Sequence, residues 1–142
     1  MNPLLPFEFC IPDGEAHVMP DGRLYLYGSM DIPGRNDYCC EKYHVFSTDD
    51  MVNWVDHGVS FSSEKKHMNG VFPKGTPLYA PDAAYKDGKY YLYFCTCQDG
   101  EGVAVSDSPG GPFKAVCTID GANRDSIDPS VFIDDDGQAY YF

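Results

Sequence analysis

The sequence predicts an all-β fold, a β-propeller built from four-stranded blades, and three observations carry that expectation. One phrase recurs: Asp21-Gly22-Arg23-Leu24-Tyr25-Leu26-Tyr27, then Asp87-Gly88-Lys89-Tyr90-Tyr91-Leu92-Tyr93, then Asp136-Gly137-Gln138-Ala139-Tyr140-Tyr141-Phe142. Self-similarity of this kind marks a repeat architecture. An aspartate beside a bend precedes each phrase: Asp13 in Ile11-Pro12-Asp13-Gly14-Glu15, Asp82 in Tyr79-Ala80-Pro81-Asp82-Ala83, and Asp128 in Ser126-Ile127-Asp128-Pro129-Ser130. Finally, 14 Gly and 11 Pro punctuate short apolar runs rich in Tyr, Val and Phe, and no stretch carries a convincing helical period.

The first unit starts with Ala16-His17-Val18-Met19 as a short inner strand, and Pro20-Asp21-Gly22 turns the chain into a second strand over Arg23 to Ser29. Lys42 to Thr48 forms the third strand and Val55 to Val59 the fourth. The second unit repeats this order with Ala83-Ala84-Tyr85, Tyr90 to Cys97, Gly102 to Ser106 and Phe113 to Val116. Four short antiparallel strands per unit describe a propeller blade, and a sandwich or jelly roll would leave the repeated phrase unexplained. The stretch from Phe61 to Leu78 breaks the rhythm and reads as a loop insertion with Glu64, Lys65, Lys66 and His67 on a solvated surface. Asp31 to Glu41 reads as another loop, on the other side of the strand from the carboxylate turns. Asp134-Asp135-Asp136-Gly137 is a tight hairpin turn that opens a third unit. Because Tyr140-Tyr141-Phe142 lies inside an apolar run, residues 1–142 read as the N-terminal part of a longer propeller domain, about two and a half blades of it.

A net charge of −12 argues against a nucleic-acid backbone or an anionic membrane surface as partner. The six cysteines, at 10, 39, 40, 95, 97 and 117, have neither a disulfide framework's pattern nor zinc-knuckle spacing, and Cys95 and Cys97 read as small core residues on one strand face. Met1 through Cys10 shows no secretory signal, and together with reduced thiols this favours a cytoplasmic location.

In a propeller the first strand of each blade lines the central channel, so Asp13, Asp82 and Asp128 are expected to converge at one rim although they lie far apart in the chain. Any one of them is accounted for as a turn residue. Three in register point to a site. Neighbouring carboxyls can hold different protonation states, and inverting glycoside hydrolysis uses that difference: a carboxylate activates water while a carboxylic acid, roughly 6.5–9.5 Å away, protonates the leaving oxygen.

The phrases Asn2-Pro3-Leu4-Leu5-Pro6, Pro12-Asp13-Gly14-Glu15-Ala16-His17-Val18, Leu24-Tyr25-Leu26-Tyr27-Gly28-Ser29, Tyr79-Ala80-Pro81-Asp82 and Ile127-Asp128-Pro129-Ser130-Val131-Phe132 resemble family 43 glycoside hydrolases along essentially the whole chain. The resemblance implies a five-bladed propeller that cleaves terminal pentose linkages, xylose or arabinofuranose, with inversion. It implies Asp13 as general base, Asp128 as the aspartate that tunes and orients the acid, and Asp82 at the border of the sugar pocket. It also places the general acid, a glutamate, on a later blade outside this chain: Glu15 is two residues from Asp13, and Glu41, Glu64 and Glu101 read as loop residues. Two departures stand out: Tyr79 replaces the family's tryptophan, and Met30 stands where a histidine is common. Tyr79, His17 and Phe72 join Asp82 as candidate substrate contacts. The expected partner is a xylo- or arabino-oligosaccharide or polysaccharide. No cofactor is required; some relatives carry a structural Ca2+ in the channel, but no Asp-x-Asp-x-Asp-Gly loop supports one here. The rival readings are a non-catalytic carbohydrate-binding propeller and a protein-interaction propeller, the latter lacking its Gly-His and Trp-Asp signatures.

Overall fold

Short apolar runs, interrupted by glycine turns, fold into two successive antiparallel meanders and the opening hairpin of a third. The computed structural model describes residues 4–36, 38–96, 98–122 and 125–142, so the Asn2-Pro3 phrase and Cys97 lie outside the described residues. The first sheet runs in chain order through β1 (Glu15–Val18), β2 (Leu24–Tyr27), β3 (Lys42–Thr48) and β4 (Val55–Ser62). The second runs through β5 (Asp82–Lys86), β6 (Lys89–Cys95), β7 (Glu101–Ser106) and β8 (Lys114–Thr118). A third begins with the hairpin of β9 (Val131–Ile133) and β10 (Ala139–Tyr141). These are the repeated units expected from the sequence. The repeat reaches fine detail, since the β3–β4 and β7–β8 pairs both carry register irregularities. The 134–137 turn closes as expected, with the Gly137 N–H donating to the Asp134 carbonyl at 2.8 Å and Gly137 at φ 83°.

The core lies between the first two blades. Tyr27, Tyr43, Val45, Phe61, Met68, Leu78, Leu92, Phe94 and Phe113 are each at most 1% exposed. Phe94 packs on Phe61 with ring centroids 4.7 Å apart and meets Phe72 edge-on at 5.8 Å. Gly102 makes room for this cluster, because a Cβ there would stand 2.7 Å from Phe94 Cζ and 2.9 Å from Phe72 Cε2.

Two expectations are corrected here. The 61–78 stretch is more than a solvated insertion: Phe61 and Ser62 extend β4, and α1 (Lys65–Met68) is a single helical turn. Its apolar side carries the buried Met68 and His67 between the blades, leaving Glu64, Lys65 and Lys66 exposed. The turn ends at Asn69, whose left-handed φ of 52° stops the helix. The 31–41 loop lies at the same end as the carboxylate turns. In an antiparallel hairpin the second strand ends where the first begins, so β2 delivers this loop beside Asp13. There the Asp31 N–H donates to the Cys10 carbonyl at 3.0 Å, and the Cys39 N–H donates to Asp31 Oδ1 at 2.7 Å.

Candidate active site

Asp13 stands two residues before β1 and Asp128 three before β9, and both adopt left-handed backbone, at φ 53° and 58°. Aspartate tolerates this region better than most residues, and such backbone clusters at functional sites. Both are exposed, and they line one cleft of about 250 Å3 with Glu15, Ala80, Pro81, Pro129 and Ser130. Residues 115 positions apart are thus brought together by the arrangement of three inner strands.

The Asp13 turn is held from behind. The buried Ser29 hydroxyl lies 3.2 Å from both the Pro12 carbonyl and Asp13 Oδ2. Gly28 permits the close approach: a Cβ there would meet Ile11 Cγ2 at 2.4 Å, the Pro12 carbonyl oxygen at 3.1 Å and Gly14 Cα at 3.3 Å. Cys39 completes this support. Burial pushes its thiol up to about 11, with a hydrogen bond to Ser29 opposing the rise, so it is a neutral packing group at ordinary pH.

Asp82 departs from the expectation. It opens β5 and is 3% exposed, and it is absent from the cleft wall. Its Oδ1 accepts from His17 Nε2 at 2.6 Å and from the Ala83 N–H at 2.7 Å, while Oδ2 accepts from the Val131 N–H at 2.7 Å. A carboxylate so buried, with both oxygens engaged by protein donors and neither lining the cleft, holds protein together. The spacing contains the signal: Asp13 and Asp128 lie nine residues before Gly22 and Gly137, whereas Asp82 lies only six before Gly88. Two aspartates are in register, and the third is displaced into the strand.

The other expected contacts separate as well. His17 lines a different, larger hollow of about 430 Å3 along the inner strands, with Val18, Ala83, Tyr85, Val131 and Phe132. Phe72 is 9% exposed and belongs to the aromatic core; a ring wedged against Phe94 cannot stack on a ligand. Tyr79 is half-buried next to the cleft residue Ala80, and its carbonyl accepts the Tyr43 hydroxyl. Glu101 begins β7 and is 4% exposed, so it is a strand residue and not a loop residue; it accepts the Tyr141 hydroxyl at 2.6 Å, away from the cleft. Glu15 is a cleft residue as well, which its spacing from Asp13 did not indicate. The period of two along β1 puts it on the same strand face as His17.

The sequence profile of glycosyl hydrolases family 43 matches residues 10–142. The chain belongs to that family. It is 43% identical to a xylosidase/arabinosidase 43A of Humicola insolens across 92% of its own length, and 38% identical to a xylosidase/arabinosidase of Bacteroides ovatus across 98%. It spans 42% and 44% of the lengths of those relatives. Among solved structures it superposes with TM-score 0.80 and 41% identity on a family 43 β-xylosidase/α-arabinofuranosidase from a compost microbial metagenome, in complex with xylotriose and in calcium-free form. That match covers 99% of this chain and 44% of the relative. A Xanthomonas citri family 43 enzyme complexed with xylose superposes with TM-score 0.79 at 35% identity, over 98% of this chain and 41% of that one. The all-β propeller blades of this family 43 chain are therefore those of its relatives.

Glu15, His17 and Asp82 bring ligand-capable atoms within 4.8 Å of one another. Calcium takes six to eight oxygen ligands. Here His17 contributes a nitrogen already turned to Asp82, and both Asp82 oxygens are engaged by protein donors. The trio does not fit a calcium ion.

Proposed function

We propose that the protein carrying this chain is an inverting glycoside hydrolase acting on terminal pentose linkages, xylose or arabinofuranose, in hemicellulose-derived or arabinan-derived oligosaccharides. The observation that carries this reading is the pairing of Asp13 and Asp128, which share left-handed backbone at the mouths of inner strands and line one cleft. The relatives support the substrate class: their names cite xylosidase and arabinosidase activity, and two solved relatives hold xylotriose or xylose.

In this mechanism Asp13, as the ionised base, takes a proton from water while the water oxygen attacks the anomeric carbon. The glycosidic C–O bond breaks and the leaving oxygen receives a proton from a carboxylic acid on the opposite face of the ring. Glu15 is poorly placed for that second task, because it lines the cleft only two residues from Asp13, whereas the acid must stand across the ring from the base. Asp128 serves the acid electrostatically, as a neighbouring charge that favours its protonated form.

The test is hydrolysis of p-nitrophenyl xyloside and arabinofuranoside by the protein carrying this chain. Asp13→Asn keeps the side-chain shape but removes the base, so turnover falls by roughly 10²–10⁴, with pentoside binding largely kept. Turnover near the parent rate would remove Asp13 as base, and a parent protein that binds pentosides without cleaving them would leave a carbohydrate-binding propeller.

A further inference from the structure

Asp82 is the residue the proposed mechanism leaves unexplained: a buried carboxylate, 3% exposed, at the point where three blades meet. We infer that Asp82 and His17 form a positioning bridge that sets the separation of Asp13 and Asp128. This rests on the roles proposed above for those two aspartates.

The geometry is specific. One carboxylate receives a donor from each inner strand: His17 Nε2 from β1 at 2.6 Å, the Ala83 N–H from β5 at 2.7 Å, and the Val131 N–H from β9 at 2.7 Å. Hydrogen bonds to an ionised acceptor are short and roughly twice as strong as neutral ones. The strand starts they tie carry the cleft: Asp13 is four residues from His17, and Asp128 is three from Val131. Asparagine at 82 does not do the same work: of equal size, it has one acceptor oxygen, and its NH2 group would point at an N–H donor, which breaks at least one arm. His17 is suited to the outer arm, since an imidazole spans the gap between strands and donates whether neutral or charged. Glu15 and Asp82 are the charged groups that act on it. Neither His17 nor Asp82 lines the cleft, so both act through the two aspartates and are positioning residues.

Such a bridge matters more for rate than for binding, because misplacing a reacting group by about 1 Å can cost roughly 10²-fold. The test uses the protein carrying this chain, with kcat and KM on both pentosides and with amide hydrogen exchange. Asp82→Asn and His17→Ala should each lower kcat per folded molecule by about 10–100-fold with KM within about threefold. The double variant should be no slower than the worse single, and His17→Gln, which retains a donor, should recover to within about threefold of the parent. Exchange at the Val131 amide should quicken at least about tenfold in Asp82→Asn, since it loses its acceptor. A kcat within about twofold of the parent in both single variants, or losses that multiply in the double, would overturn the bridge; so would unchanged exchange at Val131. If the parent cleaves no pentoside, the functional reading fails, and exchange at Val131 still decides the bridge.

Discussion

The junction between blades one and two and the junction between blades two and three are built from different materials. The first is apolar: Phe61 against Phe94, Tyr27 edge-on to Phe113 at 6.5 Å, and Met68 and Leu78 sealed inside. Hydrogen bonds supplement this packing: the Tyr27 hydroxyl donates to the Pro109 carbonyl at 2.8 Å, the Phe113 N–H to the Ser60 carbonyl at 2.8 Å, and His17 meets Asp82 at the inner strands. The second is polar: the Asp82 carboxylate holds the Val131 N–H, Lys86 Nζ donates to the Gly137 carbonyl, and the Tyr141 hydroxyl donates to Glu101. The side chain of Phe132 nearby remains 56% exposed. Apolar burial is strong and non-directional, so it stabilises without fixing fine geometry. Charge-assisted hydrogen bonds are directional and fix geometry well. Asp13 and Asp128 belong to blades one and three, so the cleft depends on both junctions, on the apolar packing of the first for stability and on the hydrogen bonds centred on Asp82 for alignment.

The largest way to break this contrast is Phe94→Ala. Phe94 is fully buried at the apolar junction, so its truncation should cost about 3–5 kcal/mol, read by urea unfolding. A loss below about 1 kcal/mol would mean that this junction is not the stabilising one.

A sharper comparison adds the same methyl group at two glycines. Gly102→Ala and Gly28→Ala both overpack, each costing about 1–3 kcal/mol. Gly102 faces the aromatic core and the Cys117 carbonyl, none of which lines the cleft, so turnover per folded molecule should be retained. Gly28 abuts the Pro12 carbonyl and Gly14, so a methyl displaces the Asp13 turn and kcat should fall by about tenfold. Equal turnover in the two variants would contradict the separation of stability from alignment.

The smallest expected effect is a pH dependence. His17 titrates above its ordinary 6.5, chiefly because it bonds to Asp82, with burial opposing. A raised folded value means that folding favours the protonated ring. The contribution is therefore fully present below about pH 6.5 and is lost as pH rises through the folded value. The melting-temperature gap between the parent and His17→Gln should be widest on the acid side and narrow above it. A gap that widens toward alkaline pH would contradict the bridge.

Much of the fold was legible because strands and turns are local. The Asp-Gly turns, the period of two and the aromatic runs set the strand order, with the third strand of blade one at its expected bounds, Lys42–Thr48. The pairing of Asp13 with Asp128 was legible too, since equal spacing from Gly22 and Gly137 places equal positions at equal heights. Where side chains and loops go next is less legible. Phe72 is a candidate substrate contact in the sequence because an aromatic ring suits a pocket as well as a core, and only its packing against Phe94 beside Gly102 decides for the core. The place of the 31–41 loop is legible in principle, since antiparallel alternation alone requires it to return beside Asp13.

The sequence by itself determined the repeat, the strand meander and the two aspartates at the inner-strand mouths, because these follow from backbone chemistry within a few residues. Only the tertiary structure decided what Asp82 does. Its partners lie 65 residues away at His17 and 49 away at Val131, and no local pattern states which distant donors a carboxylate will meet. Once the blades pack, burial of that charge is tolerable only with all its donors in place, and this requirement makes a residue that reads as a ligand contact into a joint between strands.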